Sequence, residues 1–218
     1  MRRLLILWVL LFLPTLTSAA SAQKIAVAVV FDSGPNGKYT SQLLEGLYDR
    51  GIHATFLLRG HKIAQAPQLT EEIHLQGHEI AHRGFTAERM DTLSRRSIAQ
   101  QIMDTEALLP DGCHVCLFCP VGVINDSIRQ VAKARRLSML EAPEHLHPDS
   151  GTFSASSLRN GDILYLHDSN AQAVYESLKI LDILIKEQVQ ILPVSQLAKS
   201  RGRTLRPGEI YHAFPINP

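Results

Sequence analysis

From residue 25 onward the chain alternates short apolar runs of strand length with longer stretches whose apolar positions recur at helical spacing. The first run, Val27-Ala28-Val29-Val30-Phe31, ends in Asp32 and breaks at Gly34-Pro35. Leu43, Leu44, Leu47 and Tyr48 mark one face of a helix over 39–50 that Gly51 stops. A second strand, Ala54-Thr55-Phe56-Leu57-Leu58, closes at Gly60, and a helix over 64–75 stops at Gln76-Gly77. His78-Glu79-Ile80-Ala81 is a third strand, leading into the polar loop 82–89. Ile98, Ile102 and Leu109 stripe a helix over 94–109, and the apolar, cysteine-bearing run 113–119 reads as a buried strand ending at Pro120-Val121-Gly122. Asn125 is placed to cap a helix carrying Ile128, Val131 and Ala132, before a strand at Leu137-Ser138-Met139-Leu140. After a polar loop over 141–151, Asp162-Ile163-Leu164-Tyr165-Leu166 forms a strand ending in His167-Asp168. A helix with Val174, Leu178, Leu181 and Leu184 and a last strand over 189–192 follow; the basic, Gly/Pro-containing tail 199–218 is expected to be peripheral.

Strands that alternate with helices predict an α/β fold with a largely parallel sheet, and the pattern alone fits an open sheet or a barrel. In either, the carboxyl ends of strands are where catalytic side chains gather. Three such ends carry candidate chemistry: Asp32, the loop beginning at His82, and His167-Asp168. Taken singly, an ordinary turn-forming aspartate accounts equally for the first, and a hydrogen-bonded loop histidine is the better account of the second.

Composition narrows the class. The 218 residues are 45% hydrophobic and 20% charged, enough for one well-packed domain and unlike a disordered or fibrous chain. A net charge of +1 argues against nucleic acid as the main partner. Arg2-Arg3, the apolar run 4–13 and the small-residue stretch to Ala20-Ser21-Ala22 have the layout of a signal peptide over 1–22. Ten apolar residues are too few to span a bilayer, so the mature protein is expected to begin near Gln23 and to work outside the cytoplasm, secreted, periplasmic or in the cell envelope. Cys113, Cys116 and Cys119 have metal-like spacing, but on a strand neighbouring ones would lie about 10 Å apart at ~3.3 Å per residue and alternate faces. Buried free thiols are therefore expected.

The order of these segments resembles the polysaccharide deacetylase family, the NodB-homology domain of carbohydrate esterase family four, over residues 23–198. Phe31-Asp32-Ser33-Gly34-Pro35 is similar to T-F-D-D-G-P, and Ala54-Thr55-Phe56-Leu57-Leu58-Arg59-Gly60 to A-T-F-F-V-x-G. Gly77-His78-Glu79-Ile80-Ala81 is similar to the G-H-E-I-[GA] that precedes H-[ST]-x-x-H. Pro120-Val121-Gly122 stands where R-x-P-x-G ends, Leu166-His167-Asp168 matches L-H-D, and Leu192-Pro193-Val194-Ser195-Gln196-Leu197 resembles the closing V-x-x-x-x-L. The resemblance implies a distorted (β/α) barrel that removes acetyl groups from N-acetylated glycans such as peptidoglycan or chitin-like polymers. It further implies a divalent metal, usually zinc, with Asp32 as general base, His167 as general acid oriented by Asp168, and Pro120 and Gly122 lining the substrate cleft.

The chain departs from that pattern at the metal. The family's second aspartate is Ser33, and without a gap its two metal histidines fall on Arg83 and Ala87. A one-residue deletion would instead match His82 and Thr86, leaving His82 as the surviving candidate ligand; Gly84-Phe85-Thr86 favours the ungapped register. The arginine of R-x-P-x-G is Phe118. A catalytic zinc wants about three protein ligands and one open position. Three readings follow: a binding homologue with impaired deacetylation, an active hydrolase with a rebuilt site, recruiting His82, His145 or His147, and a structural or protein-binding domain.

Overall fold

The computed structural model describes residues 24–141 and 153–215. The segment read as a signal peptide and nearly all of the loop 141–151, with His145 and His147, lie outside the described residues. The elements run β1 (Ala26–Gly34), α1 (Lys38–Asp49), β2 (Thr55–Leu58), α2 (Gly60–Gln65), α3 (Pro67–Leu75), β3 (Glu79–His82), a 3-10 turn (Met90–Thr92), α4 (Arg95–Glu106), β4 (Leu117–Phe118), α5 (Asp126–Ala134), β5 (Ser138–Leu140), a second 3-10 turn (Ala155–Ser157), β6 (Ile163–His167), α6 (Ala171–Lys186), β7 (Gln190–Leu192), α7 (Val194–Ser200) and β8 (Ile210–Tyr211). Ser94, Asn125 and Asn170 cap α4, α5 and α6 by accepting from the backbone N–H three residues on, which fixes where each helix starts.

The strand order is β6-β1-β2-β3-β4-β5-β8, and every pairing along it is parallel. β7 pairs with the first residues of β1, from Ala26 to Ala28, below the level at which β2 begins. Past β8 the chain returns to the other edge: Ala213 bridges Asp162, and the Phe214 N–H donates to the Gly161 carbonyl at 2.7 Å. The sheet thus curls into a distorted (β/α) barrel.

Alternation along β1 separates two cores. Val27, Val29 and Phe31 face outward and pack with Leu43, Leu44 and Leu47 of α1 and Leu181 and Leu184 of α6. Ala26, Ala28 and Val30 face inward with Leu57, Ala81, Leu117, Cys119, Leu140 and Tyr165. Val194, Leu197 and Ala198 of α7 join this inner cluster beside the start of β1 and so plug the lower end of the barrel.

Three expectations change. The helix over 64–75 is two helices, because Pro67 forces Ala66 out of the helical region, to φ −141° and ψ 59°, and starts α3 as its first residue. The cysteine run is strand only at Leu117–Phe118; the Pro110-Asp111-Gly112 turn, closed by Cys113 N–H to the Pro110 carbonyl at 3.1 Å, keeps 113–116 out of the ladder. All three cysteines are free, but only Cys119 is fully buried. The tail is not peripheral over its described residues 199–215: it supplies β8, and Phe214 is 2% exposed in the inner core, stacked on Tyr211.

Candidate active site

Inward-facing positions continue past Val30 to Asp32, whose register partners are Leu57 on β2 and His167 on β6. Paired residues on parallel strands project to the same face, so Asp32 and His167 stand side by side at the upper end of the barrel. One layer below, Tyr165 is paired with Val30; burial raises its phenol well above the usual range, and Cys119 and Asp32 add to the effect. Asp32 is 8% exposed, and His167 is exposed. The Gly34–Pro35 peptide is cis, and the Gly34 carbonyl accepts from Arg59 N–H at 3.0 Å.

Arg83 follows β3 directly, and its backbone N–H extends the ladder to the Leu58 carbonyl at 2.9 Å. One step past His82 in the alternation, its side chain turns to the inner face and donates through Nη1 to Asp32 Oδ2. Burial alone would lower its pKa, but Cys119, Asp32 and Tyr165 more than offset that and hold it raised. Arg59, after β2, donates to the Thr86 carbonyl at 3.1 Å; burial, then repulsion from Arg83, lowers its pKa. Asp32, Arg83, Cys119, Pro120, Gly122, Ile124, Leu140 and Glu141 line a cleft of about 230 Å³. That is below the ~300 Å³ at which ordinary small-molecule pockets begin.

Pro120 and Gly122, which the resemblance implies as substrate-lining, border this cleft. Gly122 has φ +95°, and a Cβ there would land on the Asp91 carboxylate, which Arg89 holds in place. Only glycine fits that approach.

Asp168 is beside His167 in sequence but not in space. It is fully buried against α1, accepting from Thr40 Oγ1 and from Asn36 Nδ2 at 2.6 Å. Burial raises its pKa, against the pull of those two donors. Lys62 Nζ donates to Asn36 Oδ1 at 2.5 Å and extends the network. The expected orientation of His167 by Asp168 therefore does not follow: adjacent residues at a strand end point to opposite faces, and the carboxylate fixes the β1–α1 turn.

His82 faces the other way as well. Its register partners, Leu58 and Phe118, belong to the outer packing, and its ring lies 5.2 Å from that of Phe118 at 42°. It is fully buried; Nδ1 accepts from Gly84 N–H at 3.2 Å, so Nε2 carries the proton, 4.0 Å from Glu106 Oε1. Burial, helped by Arg135, lowers its pKa to about 3. His82 is a neutral packing residue behind β3, and the expected metal ligand does not reach the cleft.

The polysaccharide deacetylase family model matches residues 19–140. The chain belongs to the polysaccharide deacetylase family. It is 27% identical over 187 residues to a peptidoglycan-N-acetylglucosamine deacetylase of Bacillus cereus, covering 79% of this chain and 88% of that one. The fold of this deacetylase-family chain superposes on a family 4 acetyl xylan esterase from Clostridium thermocellum in complex with a cobalt ion, with TM-score 0.77, 20% identity and coverage of 87% and 99% of the two chains. It also superposes on a mutant of a carbohydrate esterase family four pseudoenzyme with restored enzymatic activity, with TM-score 0.70, 18% identity and coverage of 80% and 68%.

The family is one of metal-assisted deacetylases, and the described residues of this member do not fit a metal. The inward carboxylate of Asp32 is engaged by a guanidinium, the histidine of the loop faces outward, and the positions that match the metal histidines are Arg83 and Ala87. Among the described residues no three His, Cys, Asp or Glu side chains gather into a ligand set. A permanent cation beside Asp32 repels a second one, and Arg83 cannot be deprotonated to make room. The sequence set Arg83 at a position of a metal histidine but did not reveal its partner; Leu57 on the inner face also places Arg59, two residues on, at the cleft end of β2.

Proposed function

We propose that this polysaccharide deacetylase-family protein is exported and binds N-acetylated cell-envelope glycan in the cleft at the upper end of the barrel, with metal-dependent deacetylation impaired. The observation that carries the reading is the Arg83–Asp32 ion pair, which places a fixed cation where the family mechanism needs an exchangeable one. The kinship with a Bacillus cereus peptidoglycan deacetylase supports peptidoglycan as the polymer. Retained turns at Gly34-Pro35 and Pro120-Val121-Gly122 keep the cleft walls, while among the described residues the electrophile that would polarise an acetamide carbonyl has no donor set.

A second reading rests on the register of Asp32 with His167. In it, Asp32 takes a proton from water and His167 delivers one to the leaving amine, with Arg83 as the cation that stabilises the oxyanion. One experiment separates the two. The purified protein is incubated with peptidoglycan and with chitin oligosaccharides, with and without added zinc, while acetate release and retention on the polymer are both recorded. Retention without acetate is expected, and retention should survive Asp32→Ala. Acetate release that is lost in Asp32→Ala and His167→Ala establishes the second reading, and no retention on either polymer overturns both in favour of a structural or protein-binding domain.

A further inference from the structure

All strands of the barrel are parallel, so the residues that precede them share one end, opposite the cleft. At that end the tail 199–218 does more than close the ring. Arg129 Nη1 of α5 donates to the Gly208 carbonyl at 3.4 Å, the Gly208 N–H donates to the Leu137 carbonyl at 2.9 Å, and Gly208 packs on the Lys133 side chain. Arg201 and the Ala26 N–H both donate to Asn160 Oδ1, which ties the same loop to the starts of β1 and β6.

These contacts join two basic segments that lie far apart in the sequence. Residues 126–136 and 199–209 each hold four basic residues and one acidic one, in a chain whose net charge is only +1, so the rest of the molecule is net acidic. Lys133, Arg136, Arg203 and Arg206 are exposed, and Lys24 and Arg159, just before β1 and β6, add to the same end. Of the acids there, Glu79 is taken up by Thr55 Oγ1 and the Ser195 N–H, and Asp162 by the Arg159 N–H, while Glu209 is exposed among the arginines and offsets one of their charges. Cations at the end of α5 complement its helix dipole, but that does not account for Arg203 and Arg206, which belong to no helix. Residues 202–204, Arg206, Glu209 and Tyr211 also line a concavity of about 380 Å³.

We propose that this cationic end docks on an anionic phospholipid bilayer and thereby turns the cleft away from the membrane. Charge complementarity favours a phosphate-bearing surface, and Lys24, where the chain enters the barrel, lies exposed on this same face. The geometry also suits the task, because membrane and glycan are then met by opposite ends of one rigid barrel. The inference goes beyond glycan binding and does not rest on it.

The test is co-sedimentation of the full chain with vesicles of phosphatidylcholine alone or with about one third phosphatidylglycerol. Any contribution of the apolar N-terminal residues is common to both vesicle types, so the difference between them isolates charge. Partitioning onto the anionic vesicles should be at least about tenfold stronger near 0.1 M salt, and the excess should vanish at 1 M salt, where the screening length falls to about 3 Å. A Lys133→Gln/Arg203→Gln/Arg206→Gln variant should lose the excess, while Lys38→Gln/Arg95→Gln/Lys179→Gln, which removes equal charge from other faces, should keep it. Melting curves of both variants establish that the fold is intact. Equal partitioning onto the two vesicle types overturns the proposal. So does equal loss in the two variants, full competition by millimolar inorganic phosphate, or salt-sensitive retention on an anionic wall polymer without vesicle binding.

Discussion

Arg83 and Asp32 reach one another from strand ends that are not neighbours: β2 lies between them, and the ion pair spans the inner face above Leu57. Both side chains are largely buried, at 18% and 10% exposure, so the pair is not a surface ornament. Removing one partner strands the other. Arg83→Ala should destabilise the protein by about 2 to 4 kcal/mol, read as a shift of the urea midpoint, because a carboxylate is left in a poorly solvated cleft. The double variant Arg83→Ala/Asp32→Ala should be more stable than the sum of the singles; strict additivity would mean that the two side chains are not coupled.

A second consequence concerns the metal. Ser33→Asp/Arg83→His/Ala87→His rebuilds the ligand pattern that the family resemblance implies at those positions. Metal analysis after equilibration with zinc and gel filtration should give about one zinc per chain for the triple variant and far less for the parent. About one zinc per chain in both would show that the parent already holds a site.

His82 and His78 make stability fall in acid. Burial lowers their pKa values to about 3 and about 4, His53 adding to the effect on His78, whereas in the unfolded chain both sit near 6.5. The folded state therefore refuses protons that the unfolded state accepts. Their contribution is fully present above about pH 6.5 and is lost as pH falls toward 4 and then 3, at up to roughly 1.4 kcal/mol per pH unit for each histidine. Urea unfolding between pH 7 and pH 4.5 should display that slope, and His82→Phe should flatten it by about one proton's worth.

Phe214→Ala should cost about 3 to 5 kcal/mol, the range for a fully buried aromatic, and should loosen the β8 edge in hydrogen exchange. A change below 1 kcal/mol would mean that the closing segment is an accessory.

Gly122→Ala should shift the 120–124 loop and weaken glycan retention more than it lowers the melting temperature, since its φ of +95° and the Asp91 carboxylate both resist a Cβ. Titration calorimetry against a soluble chitin oligosaccharide measures the first and scanning calorimetry the second.

These residues also mark how far the sequence could be read. The strands that carry the barrel were legible because Val27-Ala28-Val29-Val30-Phe31 and Ile163-Leu164-Tyr165-Leu166 are buried on both faces and so stay apolar throughout. β8 was not legible: two residues inside a Gly/Pro-containing tail carry no period, and only pairing with β5 makes them a strand. That Asp32 and His167 both stand at strand carboxyl ends was legible, whereas their register side by side needs the pairing of β1 with β6, and the separation of His167 from Asp168 depends on which face each position takes after the strand stops. The outward turn of His82 has the same cause. A one-residue difference in alternation decides whether a loop histidine meets a cleft or a helix.

The ring closed by residues 210–214 has a bearing on biogenesis. Ile210 and Tyr211 must find a strand about seventy residues earlier, and Ala213 and Phe214 must find the start of β6. Until those residues leave the ribosome the gap between β5 and β6 stays open and the inner core lacks Phe214. A nascent chain therefore keeps an open inner core through most of its synthesis and closes it only with its last residues.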